Sequence, residues 1–193
     1  MIAQADRHIW RCACEILSGW KDNGLFLSIN VSPKDFYFMD VAAELTGLVR
    51  EHGVEPSRLR VEITETVMMT DEAKRIDILK ALREAGFIVE MDELGSGYSS
   101  LNMLKDMPVD VVKIDMAFLR KAEDDARART ILNSIMQMTN SLKLAQITEG
   151  VETAEQFENL RDMGCDMFLG YYFAKPMEER DFTDFLEKRR EFP

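Results

Sequence analysis

Short β-branched runs, each separated from the next by an amphipathic stretch, recur along the whole chain, and this alternation restricts the fold more than any other feature. The apolar runs cover residues 25–31, 59–65, 87–93, 109–115, 143–149 and 167–173. Helical patterns occupy 8–20, 41–52, 71–85, a short piece after Ser99, 124–142, 154–163 and 180–190. Strands joined by single helices run parallel, because the helix carries the chain back across one face of the sheet in a right-handed crossover. The fold class is therefore α/β. Gly53, Gly86 and Gly164 stand where helices should stop, and Thr153 with Gln156 forms the T-x-x-Q pattern of a capping box. No Ser/Gly/Pro-rich stretch or low-complexity run divides the 193 residues, so one domain is expected.

The polar residues decide between an open sheet and a barrel. Nearly every run ends in them: Asn30; Glu62, Thr64 and Glu65; Asp92 and Glu93; Lys113 and Asp115; Glu149, with Glu152 just beyond. An open doubly wound sheet gathers its ligand residues at one switch point, from two or three strands. A (β/α)8 barrel gathers them at the C-terminal ends of many strands. Five consecutive strand ends favour the barrel. Only about six strands are legible where closure needs eight, and the chain opens directly into a helix. The expectation is an incomplete TIM-like barrel short of two strands at its N-terminus.

Composition narrows the ligand. A formal net charge of -11 works against DNA, RNA and anionic lipid, all of which reward basic surfaces. With no basic-then-apolar leader and no apolar stretch of about 18–20 residues, export and membrane insertion are not expected. Cys12, Cys14 and Cys165 form no CxxC pair, which points to reduced thiols and a cytoplasmic setting rather than to disulfides or zinc. One carboxylate at one strand end is ordinarily a solvated or capping group, and Lys113 alone would read as a salt-bridged lysine. Acidic and amide groups converging from five strands repel one another unless a cation sits among them, and hard divalent ions such as Mg²⁺, Mn²⁺ and Ca²⁺ take oxygen ligands. His8 and His52 lie in helical stretches, away from the strand ends. A one- or two-metal site that meets phosphate oxygens follows, with Lys113 placed to neutralise charge developing on phosphorus. The segment Gly95-Ser-Gly97-Tyr-Ser-Ser100 fails as a dinucleotide fingerprint, because Ser100 replaces the third glycine and Asp92-Glu93 precedes the turn. Methionines 68, 69, 103, 107, 136 and 138, and the two tryptophans, read as core filling.

Six motifs, SINVSP (28–33), VEITE (61–65), DELGSGYSSL (92–101), VVKID (111–115), TEGVET (148–153) and GYYFAKP (170–176), together resemble the EAL-domain family. Its members are bacterial phosphodiesterases that open cyclic di-GMP to the linear dinucleotide with Mg²⁺ or Mn²⁺ in a TIM-like barrel. The resemblance implies Asn30, Glu62 and Asp92 as metal ligands, with Glu93 at the second-metal position. It implies Lys113 at the activated water or phosphate and Glu149 as the carboxylate that helps activate water. Glu65, Asp115 and Glu152 would form a supporting shell beside a dimerisation loop. Three departures accompany it. The strand bearing the name-giving E-A-L segment, and a metal-ligand glutamate with it, has no counterpart. The usual D-D-F-G reads Asp92-Glu93-Leu94-Gly95, and Leu169 replaces a family glutamine. These departures set the expectation of weak or absent hydrolysis. The alternative is a cyclic di-GMP sensor or a protein-interaction module, self-associating as a homodimer or through the open barrel edge.

Overall fold

The computed structural model describes residues 2–20, 24–64, 66–67, 72–92, 104, 106–115 and 126–189. Glu65, Glu93, Leu94, the 95–100 glycine segment and methionines 68, 69 and 103 lie outside them. The elements run α1 (Ile2–Gly19), β1 (Leu27–Asn30), α2 (Asp35–Phe38), α3 (Val41–His52), a 3-10 turn (Pro56–Arg58), β2 (Leu59–Thr64), α4 (Glu72–Glu84), β3 (Val89–Asp92), β4 (Val111–Ile114), α5 (Ala126–Ser141), β5 (Ala145–Glu149), α6 (Ala154–Asp162), β6 (Met167–Leu169) and α7 (Glu179–Arg189). Local chemistry sets the helix ends. The Asp40 side chain accepts from the Ala43 N–H and starts α3, which stops at Gly53 with φ 63°. Both halves of the Thr153–Gln156 capping box are formed at α6.

The six strands form one sheet in sequence order, each pair parallel. The sheet curls. β2 and β6 are four strand spacings apart, roughly 19 Å across a flat sheet, yet Arg60 Nη1 of β2 lies 3.8 Å from Met167 Sδ of β6. An arginine side chain cannot bridge such a span unless the sheet bends around it, so the architecture is the TIM-like partial barrel expected rather than an open doubly wound sheet. β1 and β6 are the edges of the described sheet.

The outward faces of the strands are apolar. Ile29, Val61, Ile63, Val89, Met91, Val112 and Ile114 are buried in one core with Trp10 and Leu17 of α1, Leu45 and Leu48 of α3, Leu79 and Leu82 of α4, and Leu132 and Met136 of α5. Burying side chains of this size contributes about 1.5–3 kcal/mol each relative to exposure, which makes this shell the main source of stability. Trp10 is fully buried and Trp20 packs on Phe182 at 5.2 Å between ring centroids, as core-filling tryptophans should.

Three boundaries differ from the sequence reading. α1 begins at Ile2, a turn and a half before residue 8. The apolar runs are longer than the strands, because their flanks pack without pairing. The last run stops as a strand at Leu169, and residues 170–173 turn instead, with Phe173 N–H and Ala174 N–H both donating to Gly170 O at 3.1 and 3.3 Å. Gly170 is pressed against the loop after β5: a Cβ there would lie 2.1 Å from Val151 O, so only glycine fits.

Candidate functional site

Period-two alternation sends the polar residues of the strands to the concave side, where they form two layers of charge. In the lower layer Glu90 of β3 is wholly buried and accepts from Ser28 Oγ at 2.8 Å and Arg60 Nη1 at 2.9 Å. The Arg60 guanidinium lies 3.3 Å from the Phe26 ring centroid, a cation–π contact.

The upper layer is centred on Lys113 of β4. Its Nζ lies 2.6 Å from Glu62 Oε1, 2.7 Å from Glu149 Oε1 and 3.9 Å from Asp92 Oδ1. Parallel register brings them together: Glu62 pairs with Glu90, Thr64 with Asp92, and Lys113 with Ile147, two residues before Glu149. Carboxylates of β2, β3 and β5 thus surround an ammonium from β4. Burial raises the Glu62 pKa above its ordinary value, opposed by Lys113 and assisted by Asp92. Burial pulls the Lys113 pKa down, but hydrogen bonds with Glu149 and Glu62 outweigh it and the net shift is upward. Lys113 is therefore a fixed positive charge. Three carboxylates against one ammonium leave a surplus of oxygen donors and negative charge, the chemistry that hard divalent cations satisfy. Beneath and beside this layer opens a cleft of about 640 Å³, lined among others by Ser28, Glu62, Glu90, Lys113, Met167 and Leu169.

The other residues singled out in the sequence fall around this centre. Asn30 ends β1 in register with Glu62, its side chain exposed and its main-chain oxygen accepting from Trp10 Nε1 at 3.1 Å. Asp115 follows β4, partly exposed. Glu152 lies beyond β5, its side chain exposed and its N–H donating to Gln156 Oε1 at 2.6 Å. Leu169 pairs in register with Glu149 and is 57% exposed. Among the described residues no three of His, Cys, Asp or Glu converge on one point as a ready metal cage, since the Lys113 ammonium fills the centre of the carboxylates. No described helix is long and apolar enough to cross a membrane, and all three cysteines are free thiols. The Ser28–Arg60–Glu90 layer lies beyond the residues singled out in the sequence. Its signal was present: LRVEIT and VEMD place Arg60 on the face of Glu62 and Glu90 on that of Asp92.

Known proteins share this fold and sequence pattern. The EAL domain model matches residues 1–176. The cyclic di-GMP phosphodiesterase RocR of Pseudomonas aeruginosa is 34% identical over 82% of this chain and 41% of its own length. Among solved structures, the PaMucR phosphodiesterase in complex with c-di-GMP superposes with a TM-score of 0.87 at 30% identity, over 94% of this chain and 74% of that one. The manganese/c-di-GMP complex of Klebsiella pneumoniae BlrP1 gives a TM-score of 0.84 at 28% identity, over 92% of this chain and 45% of that one. The chain spans 22–41% of the length of curated relatives such as RocR. The strand-end carboxylates around a buried lysine, the parallel curled sheet and these likenesses together make the chain a member of the EAL-domain family.

Proposed function

We propose that this chain is the cation- and cyclic di-GMP-binding part of an EAL domain, lacking the first two strands of the barrel and hydrolysing the dinucleotide weakly or not at all. The observation that carries the reading is the convergence of Glu62, Asp92 and Glu149, from three different strands, on Lys113 of a fourth. Asn30, Glu62 and Asp92 would hold Mg²⁺ or Mn²⁺, with Glu93 beside them and Glu65, Asp115 and Glu152 in support. When bound, such an ion neutralises phosphate oxygens and lowers the pKa of a water.

The chain's own groups supply the rest. Lys113, ionised and held by two carboxylates, donates to a phosphate oxygen as negative charge builds on phosphorus. Glu149 accepts a proton from the attacking water. That water adds to phosphorus as the ester bond to the 3′ oxygen breaks, and the departing 3′ oxygen takes a proton from solvent to become the hydroxyl of a linear dinucleotide. Two substitutions weaken this arrangement. Glu93 carries its carboxylate one methylene further out than aspartate would, a large displacement for Mg²⁺, which demands near-ideal octahedral distances. Leu169 sets an apolar side chain beside Glu149 on the neighbouring strand, where an amide would offer a polar partner. The second reading, a sensor that binds without turnover, is favoured by this same Leu169 position.

Release of linear dinucleotide from cyclic di-GMP with Mn²⁺ should be slow or undetectable for this chain. Glu93→Asp with Leu169→Gln should raise it about 10–100-fold if the site is an impaired enzyme, and leave it unchanged in a sensor that still binds. Turnover at ordinary enzyme rates, about 1–10³ s⁻¹, would falsify the degenerate reading. Absence of both turnover and binding, in this chain and in a version extended upstream, would remove cyclic di-GMP as its ligand.

A further inference from the structure

Away from the Lys113 cluster, two carboxyl groups meet between α1 and the turn that follows β1. Asp35 is fully buried. Its Oδ2 accepts from the Ser32 N–H at 2.9 Å and the Ser32 hydroxyl at 2.8 Å. Its Oδ1 is buried with no donor, and so is Oδ2 of Asp6, whose carboxyl meets Asp35 from α1. Buried carboxylate oxygens normally have donors, because water can no longer supply them. The nearby cations are engaged in other contacts: Arg7 with Glu44 of α3 at 2.8 Å, Arg11 with Glu51 at 2.9 Å, and Arg75 of α4 over the Phe36 and Tyr37 rings at 5.6 and 4.9 Å. Lys34, beside Asp35, is exposed, His8 faces Cys12 on α1, and Asp40 caps α3. A proton on the Asp6 carboxyl would let it donate to Asp35.

We propose that Asp6 and Asp35 form an acid-closed latch: with Asp6 protonated, an O–H···O hydrogen bond fastens α1 to the β1–α2 turn, and with Asp6 ionised the repulsion between the two carboxylates loosens it. The latch bears on the candidate site through the same helix. Trp10 lies one turn beyond Asp6, fully buried, and its indole N–H holds the main-chain oxygen of Asn30 at the end of β1. A shift of α1 is thus transmitted to the strand end that carries Asn30.

Burial, then the charge of Asp35, raise the Asp6 pKa above its ordinary value. A carboxyl whose pKa is higher folded than unfolded contributes stability that is complete below the unfolded pKa and lost as pH rises through the folded one. The latch therefore holds in acid and slackens as pH rises through the raised Asp6 pKa. Asp6→Asn tests it, since an amide keeps the size and donates at every pH. At about pH 8 this variant of the 193-residue chain should melt about 2–4 °C above wild type, and the gap should narrow as pH falls towards the ordinary Asp value of about 3.9. In a Trp20→Phe background, leaving Trp10 as the reporter, emission should shift to longer wavelength as pH rises, and Asp6→Asn should abolish that shift. No gap at about pH 8, a gap that does not narrow in acid, or an emission change indifferent to Asp6 would overturn the latch. So would closure of the gap by Mg²⁺ or Ca²⁺, because the pair would then hold a cation and not a proton.

Discussion

Lys113 decides the electrostatics of the candidate site, because the three carboxylates near it have little water to screen them. Lys113→Met keeps the length of the stem and removes the charge. It should destabilise the metal-free chain by about 3–5 kcal/mol, the usual cost of leaving buried charges without their partner. Mn²⁺ should then recover more melting temperature in Lys113→Met than in wild type, since the ion takes over the neutralisation that the ammonium performed. Thermal melting with and without Mn²⁺ checks both halves. Equal gains in the two proteins would mean that the carboxylates do not hold the ion. Leu169→Gln should by itself leave stability almost unchanged, because the side chain is more than half exposed. Any gain in turnover from that change would therefore be chemical and not structural.

At the scale of elements, β5, α6 and β6 form a unit whose geometry rests on two small features. Thr153→Ala removes the capping box of α6 and should cost about 0.5–2 kcal/mol, a fall in melting temperature of about 2–4 °C per kcal/mol lost. Gly170→Ala should cost more, because its Cβ would stand 2.1 Å from Val151 O and the backbone must move. That movement displaces the loop after Glu149, so metal affinity should fall along with stability. In Thr153→Ala, stability alone should fall. Melting and Mn²⁺ titration of the two variants separate these outcomes. A Gly170→Ala chain with unaltered affinity would show that this contact does not position Glu149.

For the whole molecule, β1 and β6, the edges of the described sheet, carry the consequence. An unpaired strand edge offers N–H and C=O groups to any other strand, and the cleft between these edges is lined by Phe26, Leu27, Met167 and Phe168 as well as by charge. The isolated chain should self-associate as its concentration rises, measured by sedimentation velocity. A single monomer species across the concentration series would sink that expectation. A longer version that supplies two more strands should reduce the association and tighten Mn²⁺ binding together, since both follow from closing the barrel.

Much of this protein is written in local sequence. The alternation of runs and amphipathic stretches dictates parallel α/β layering, because strand and helix periods are properties of a few neighbouring residues. Asp40, Gly53, Thr153 and Gln156 announce helix ends by hydrogen bonds that span only three or four positions. The polar residues at successive strand ends likewise mark a site at the barrel mouth, and a motif series from Ser28 to Pro176 marks the family. Other properties depend on how distant strands are stacked. Register and curl bring Glu62 and Glu149, 87 positions apart by their numbers, to one ammonium, and bring Arg60 of β2 to Met167 of β6. The buried Ser28–Arg60–Glu90 layer, the close approach of Gly170 to Val151 and the meeting of Asp6 with Asp35 belong to the same class. Residue identity and spacing along the chain state which chemistry is available. Only the packing of sheet against helix decides which charges lose their water, and therefore which of them must find each other.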